Sequence, residues 1–242
     1  MLYSYTIYIF FIFVLYSIII IRILFVMIKN TYFKIACALI ILFMVCCFIE
    51  KRVNKYSYEK GTAINKVKIP DIIQESIPIV RNLDVVSDLF ISFFMFIFFI
   101  IFIINGKYQY IIFYFFVFLL MRLVTYIYFV STTLPDSSKT CTYGSDFFKS
   151  ALSMGSCNNL GISGHFINIV FQLGLIYRCY GSAYWLLYLI VYVLGFMLIC
   201  ASRNHYTIDC ITSTFVGLFF IYEIDNIQKG INFVLGKKYF NL

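Results

Sequence analysis

The chain is poor in the residue types on which soluble proteins rely. Its 242 residues include only two histidines, three prolines and one tryptophan, and 12% of them are charged, where soluble chains carry about 25%. A chain that is 62% hydrophobic with so few charges cannot cover itself in polar surface. That excludes an ordinary soluble domain and leaves an integral membrane protein. Internal repeats and low-complexity linkers are missing too, so one membrane domain is expected. The eight cysteines show no Cys-x-x-Cys spacing. Cys37, Cys46, Cys47, Cys179, Cys200 and Cys210 fall in or at the ends of apolar runs and read as inert thiols. Cys141 and Cys157 share one polar loop, where an oxidising compartment would allow a disulfide.

What the chain has in plenty is apolar length. A helix needs about 20 apolar residues to cross the hydrocarbon core, and by that measure up to seven spans are expected, at 3–28, 33–49, 86–104, 109–130, 162–180, 184–201 and 206–224. The first run is too long for a cleaved leader, is interrupted by Arg22 and precedes no small-residue cleavage site, so it reads as a retained span. Without water in the bilayer core each span must satisfy its own backbone, which makes the fold class an all-α, polytopic membrane helix bundle. Aromatic residues, 21% of the chain, scatter through the apolar runs and fit lipid-facing surface and helix packing, with no chemical role.

Polar punctuation separates the spans: Lys29-Asn30, a long segment from Glu50 to Val85, Asn105-Gly106-Lys107, a loop from Ser131 to Leu160, and the turn Arg178 to Ser182. His165 opens one span and His205 immediately precedes another. The residues between them supply one helix across, a turn at Gly181 and one helix back, so both histidines are expected at one membrane face. Arg22, Lys29, Lys34, Lys107, Arg178, Lys229, Lys237 and Lys238 collect opposite, which places the histidines away from the cytoplasm. Lys51, Arg52, Lys55, Lys60, Lys66 and Lys68 argue the other way, in a long segment that also carries Glu50, Glu59, Asp71 and Glu75. The formal charge of +8 is dispersed in short loops and the tail, which fits anionic lipid headgroups and no nucleic-acid partner.

Two histidines in so apolar a chain invite a reading as acid, base or nucleophile, since imidazole titrates near neutral pH unaided. The bland alternative is a hydrogen-bonding group between membrane helices. His205 and Asp209 stand at i and i+4, one turn apart on one helix face. An aspartate so placed accepts from one ring nitrogen and leaves the other free to attack or to take a proton. Asp209 alternatively serves as a helix-start carboxylate favoured by the macrodipole. Ser163 and Gly164 precede His165 at a helix start, where free N–H groups suit phosphate oxygens. Two histidines and a carboxylate also form a possible metal set, although none is expected here.

Ser163-Gly164-His165, followed forty residues later by His205-Tyr206-Thr207-Ile208-Asp209, resembles the sphingomyelin synthase family, membrane sphingolipid synthases related to the lipid phosphate phosphatases. Pro70-Asp71, Arg122-Leu123-Val124-Thr125, Thr132-Thr133-Leu134-Pro135 and Cys157 are similar to further segments of that family. Cys157-Asn158-Asn159 departs from the family's Cys-Gly-Asp, and Leu123 stands where a cysteine is common. The resemblance implies six core transmembrane helices with an additional N-terminal one. It implies an N-terminal membrane segment at 1–32, a catalytic membrane domain at 33–225 and a basic tail at 226–242.

It further implies transfer of a phosphocholine-type headgroup from a phospholipid donor, phosphatidylcholine, to a ceramide acceptor, with release of diacylglycerol. His165, His205 and Asp209 would be catalytic, and Arg122, Ser163, Gly164 and Tyr206 would bind substrate. Arg122 would neutralise phosphate charge, or else snorkel to the headgroup region. No cofactor is called for, self-association stays open, and the setting would be the Golgi, endoplasmic reticulum or plasma membrane with a lumenal or extracellular site. Two rivals stay open: a lipid phosphate phosphatase that hands the phosphoryl group to water, and a polytopic transporter or scaffold. The phosphatases usually show Pro-Ser-Gly-His and an arginine about six residues before the second histidine. Here Ile162 precedes Ser163, and Arg203 lies two residues before His205.

Overall fold

The computed structural model describes residues 30–63, 69–78, 83–132, 134–135 and 160–234. The span at 3–28, the Cys141 and Cys157 pair and Asn159 lie outside these. The chain divides into two compact units, 1–43 and 44–242. In the first, the described residues belong to the start of helix α1 (Asn30–Ala63). The second holds the rest of α1 and the helices α2 (Ile72–Ser76), α3 (Leu83–Ile104), α4 (Tyr108–Ser131), α5 (Gly164–Tyr180), α6 (Trp185–Ala201), α7 (Thr207–Tyr222) and α8 (Ile224–Val234). Every regular element among the described residues is helical. The stretches 83–104, 108–131 and 164–201 are long and apolar enough to cross a membrane, and α7 with α8 passes the same test as a bent pair. The chain is an all-α integral membrane protein.

The polar segment expected from Glu50 onward is instead helical as far as Ala63. The reason is a buried polar stripe: Glu50, Asn54 and Ser57 recur at helical spacing and are each at most 1% exposed. Ser57 Oγ donates to the Phe129 carbonyl of α4 (3.1 Å), and Tyr126 Oη lies 3.0 Å from the Cys46 carbonyl and 3.2 Å from Glu50 Oε2. Partners on α4 make it worthwhile for Glu50 and Ser57 to stay in a helix, since a buried polar group without one is costly.

α3 and α4 are joined by Asn105-Gly106-Lys107. Gly106 adopts φ +65°, its N–H donates to Ile103 (3.1 Å), and that of Lys107 donates to Phe102 (2.8 Å). This left-handed glycine closes α3 and lets α4 start two residues later, at Tyr108. The two helices then bury an aromatic cluster. Phe98 meets Tyr114 at 5.1 Å between ring centroids, Phe102 stacks on Tyr110 at 4.9 Å, and Tyr114 meets Phe171 of α5 at 6.3 Å. The aromatics therefore serve packing.

α5 and α6 form the expected hairpin through a short 3-10 turn at Gly181–Tyr184. Tyr177 near the end of α5 touches Tyr188 near the start of α6, and Phe166 at the other end touches Phe196, so the arms run antiparallel. α7 then returns alongside α5. Ser163 pairs with Ser213, a Cβ at Gly217 would lie 2.7 Å from Val170 Cγ1, and one at Gly174 would strike Ile221. These rungs advance together along both helices, which makes α5 and α7 parallel and brings their starts to one end. Small residues at such contacts let backbones approach where lipid supplies no hydrophobic drive. Beyond Glu223 the chain bends by 58° into α8, and an Arg178–Asp225 ion pair ties α8 to the far end of α5.

Candidate functional site

The two histidines meet where α5 and α7 begin. Between α6 and α7 the chain reverses within five residues, Ser202 to Tyr206. Arg203 takes up φ +62°, a strained setting for a residue with a side chain. His205 sits at the end of this turn and is buried. Asp209, in the first turn of α7 and wholly buried, gathers three donors. Its Oδ2 accepts from the Tyr206 N–H (3.1 Å) and pairs with His205 Nδ1 (3.2 Å), while Oδ1 accepts from the Gly161 N–H (3.0 Å). The helix-start role and the histidine-orienting role thus fall on the same carboxylate. With Nδ1 donating to Asp209, His205 Nε2 presents its lone pair.

Gly161 owes its place to its backbone. At φ +103° a Cβ there would lie 2.9 Å from Thr132 Oγ1, so only glycine turns the N–H toward Asp209 without a clash. Thr132 Oγ1 in turn lies 3.1 Å from the Leu160 carbonyl. Ser163 caps α5: its Oγ accepts from the Phe166 N–H (3.2 Å), as short hydroxyl side chains do at helix starts. Its own N–H donates to Ser213 Oγ (2.7 Å), whose hydroxyl lies 2.7 Å from the Asp209 carbonyl.

His165 follows in the first turn of α5, half-buried, within electrostatic reach of both His205 and Arg122. Arg122 is near because Gly164 leaves room. A Cβ at that glycine would lie 3.2 Å from Arg122 Nη1. The guanidinium pairs with Glu50 (Nη2 to Oε2 3.2 Å) and its side chain is 15% exposed, so Arg122 turns inward rather than snorkelling to the headgroups. His165, His205, Asp209, Arg122, Ser163 and Gly164 therefore share one end of the bundle. Tyr206 is there too but buried, with its hydroxyl donating to the Pro135 carbonyl (3.1 Å) and accepting from the Ile69 N–H (3.2 Å).

Sequence reasoning gave no site role to a second group of residues, on the segment that ends in α2, although the resemblance had touched Pro70-Asp71. Asp71 accepts from the Thr207 N–H at Oδ2 (2.6 Å) and from Thr207 Oγ1 at Oδ1 (2.8 Å), besides capping α2 through the Gln74 N–H (2.9 Å). Burial pushes its carboxyl up, but the hydrogen bonds from Gln74, Thr207 and Ile73 together outweigh that and hold it below the usual carboxylate range. Gln74 Nε2 donates to the His205 carbonyl (3.1 Å). Arg203 Nη2 donates to the Ile77 carbonyl (3.0 Å). Asp88 of α3, half-buried, lies within electrostatic reach of His205. An aspartate just inside an apolar run is expensive enough to have marked Asp88 in advance. Asp71 was marked only by the family resemblance at Pro70-Asp71, without a role, because its partner Thr207 is 136 positions away.

Among the described residues no group of three or more His, Cys, Asp or Glu side chains is disposed to hold a metal ion. What the arrangement offers is a nucleophilic or basic imidazole oriented by a carboxylate, a second imidazole, and a guanidinium suited to an anion. Residues 156–226, under a third of the chain, match the family described as PAP2 superfamily C-terminal. The matched region holds both histidines and Asp209, and the match supports phosphoester chemistry on lipid phosphates, by hydrolysis or transfer alike. No curated protein and no solved structure matches the chain.

Proposed function

We propose that this protein transfers a phosphocholine-type headgroup from phosphatidylcholine to the primary hydroxyl of ceramide, on the lumenal or extracellular face of its membrane. The observation that carries the reading is the His205 Nδ1 to Asp209 Oδ2 pair at 3.2 Å, set beside His165 and Arg122 at one end of a membrane bundle.

In the first half-reaction His205 Nε2 attacks phosphorus. A nitrogen–phosphorus bond forms, the bond from phosphorus to the diacylglycerol oxygen breaks, and protonated His165 gives its proton to that oxygen. Asp209 stabilises the cationic imidazole, and Arg122 and the free N–H groups at the start of α5 receive the phosphate oxygens. In the second half His165 takes the ceramide hydroxyl proton, the oxygen attacks phosphorus, and the nitrogen–phosphorus bond breaks. The PAP2 match favours chemistry at phosphorus over a transporter or scaffold, and the departures at Ile162 and Arg203 favour transfer over hydrolysis.

Incubation of the purified full chain with phosphatidylcholine, labelled in its headgroup, tests this with and without ceramide. Label should enter a new sphingolipid only when ceramide is present. Label found solely in water-soluble products would replace transfer with hydrolysis, and no release at all would remove the enzymatic reading.

A further inference from the structure

The start of α7 is held from two sides, and one of them has no local reason to exist. A helix leaves its first four N–H groups without intrahelical partners. Asp209 already accepts from Tyr206, which is the usual local remedy. Asp71 reaches across 136 positions to accept from the next N–H in line, Thr207 (2.6 Å), and from its hydroxyl (2.8 Å). A second buried carboxylate at one helix start adds repulsion, so a cap alone does not account for it.

Its neighbours converge on the same few residues. Gln74 Nε2 donates to the His205 carbonyl (3.1 Å) while its own Oε1 stays buried with no hydrogen-bond partner among the described residues. Gln74 thus tolerates one unsatisfied oxygen to keep its amide on the backbone of His205. The Ile77 carbonyl takes Arg203 (3.0 Å), and the Ile69 N–H reaches the Tyr206 hydroxyl (3.2 Å). Residues 69–77 therefore grip the strained turn at Arg203, His205 itself and the first residue of α7. A turn held in an uncommon backbone conformation persists only when its surroundings over-determine it.

We propose that Asp71 and Gln74 are positioning residues, which fix the backbone on either side of Tyr206 so that the His205 imidazole meets Asp209 in one orientation. This rests on the reading of His205 as nucleophile. The effect belongs in kcat, since an imidazole held off line by about 1 Å costs up to about a hundredfold in rate while leaving headgroup binding in place.

Having only two histidines makes the test direct. The full chain is prepared with isotopically labelled histidine nitrogens, and His165→Asn assigns the two rings. In Asp71→Asn and in the milder Thr207→Val, the His205 nitrogens should move toward a mixture of tautomers while those of His165 hold still. In the phosphatidylcholine and ceramide assay kcat should fall about ten- to hundredfold with KM within about twofold, and Thr207→Ser should restore both readouts. Unmoved His205 nitrogens in either variant would overturn the proposal. So would equal displacement of both histidines, the mark of a merely structural role. If Asp71→Asn does not fold, Thr207→Val decides. Wild-type chain inactive on these lipids would sink the proposed reaction and leave the ring measurement standing. An inactive His205→Ala beside a fully active Thr207→Val would sink the positioning role alone.

Discussion

The two arms of the hairpin differ in a way their apolar character hides. α5 is buried along most of its length, from Phe166 to Ile176, whereas α6 turns Trp185, Leu186, Leu187, Leu189, Ile190, Val193 and Leu194 outward. Together they form the apolar stretch 164–201, long enough to cross a membrane. What separates them is polar content: α5 carries His165, Asn168 and Gln172, while α6 has no polar residue beyond tyrosine and cysteine. Asn168 Nδ2 donates to the Gly164 carbonyl (2.8 Å) and Gln172 Nε2 to the Tyr114 hydroxyl (3.1 Å), so these two amides have found protein rather than lipid. In a bilayer the inner helix is marked by what would be intolerable on the outer one.

The comparison breaks most visibly at the chemistry. His205→Ala should lower transfer by at least about a thousandfold, and His165→Ala by about a hundred- to ten-thousandfold, read as the initial rate of sphingolipid formation. A His165→Ala variant with normal activity would return α5 to a packing role. The next largest effect is on the contact between α5 and α7. Gly217→Val drives a side chain into Val170, already 2.7 Å from a Cβ at that position, and should cost about 1–3 kcal/mol, seen as a lower thermal unfolding midpoint.

Acid probes the grip of residues 69–77. Asp71 has a folded pKa depressed below the ordinary 3.8 of a carboxyl, so its contribution is complete above that pH and is lost as pH falls through the folded value. The unfolding midpoint of the wild type should therefore drop on acidification below about pH 4, and Asp71→Asn should lack that component. Smallest of all, Leu187→Ala on the outward face of α6 should change stability by less than about 0.5 kcal/mol and leave the rate unchanged.

Much of this architecture was legible beforehand. The spans at 86–104, 109–130, 162–180, 184–201 and 206–224 fall on α3 to α7, and the return of His205 to the level of His165 followed from helix length and one turn. The extent of α1 did not, because Glu50 and Ser57 look like surface until α4 supplies their partners. His205 and Asp209 are expected on one helix face; they do pair, but α7 begins at Thr207 and Tyr206 is extended, so His205 reaches Asp209 from the turn ahead of the helix. The Gly161 N–H on Asp209, the pairing of Arg122 with Glu50 and the reach of Asp71 to Thr207 join distant positions, and periodicity says nothing about such contacts.

The central claim is that His205 takes the headgroup covalently. Rapid quenching of the purified protein with phosphatidylcholine and no ceramide, followed by mass spectrometry of its peptides under conditions that preserve phosphohistidine, tests it directly. The account predicts an added phosphocholine on the peptide containing His205, absent in His205→Ala and discharged when ceramide is added. The same adduct on His165, or none during active transfer with an intact His205, would contradict it.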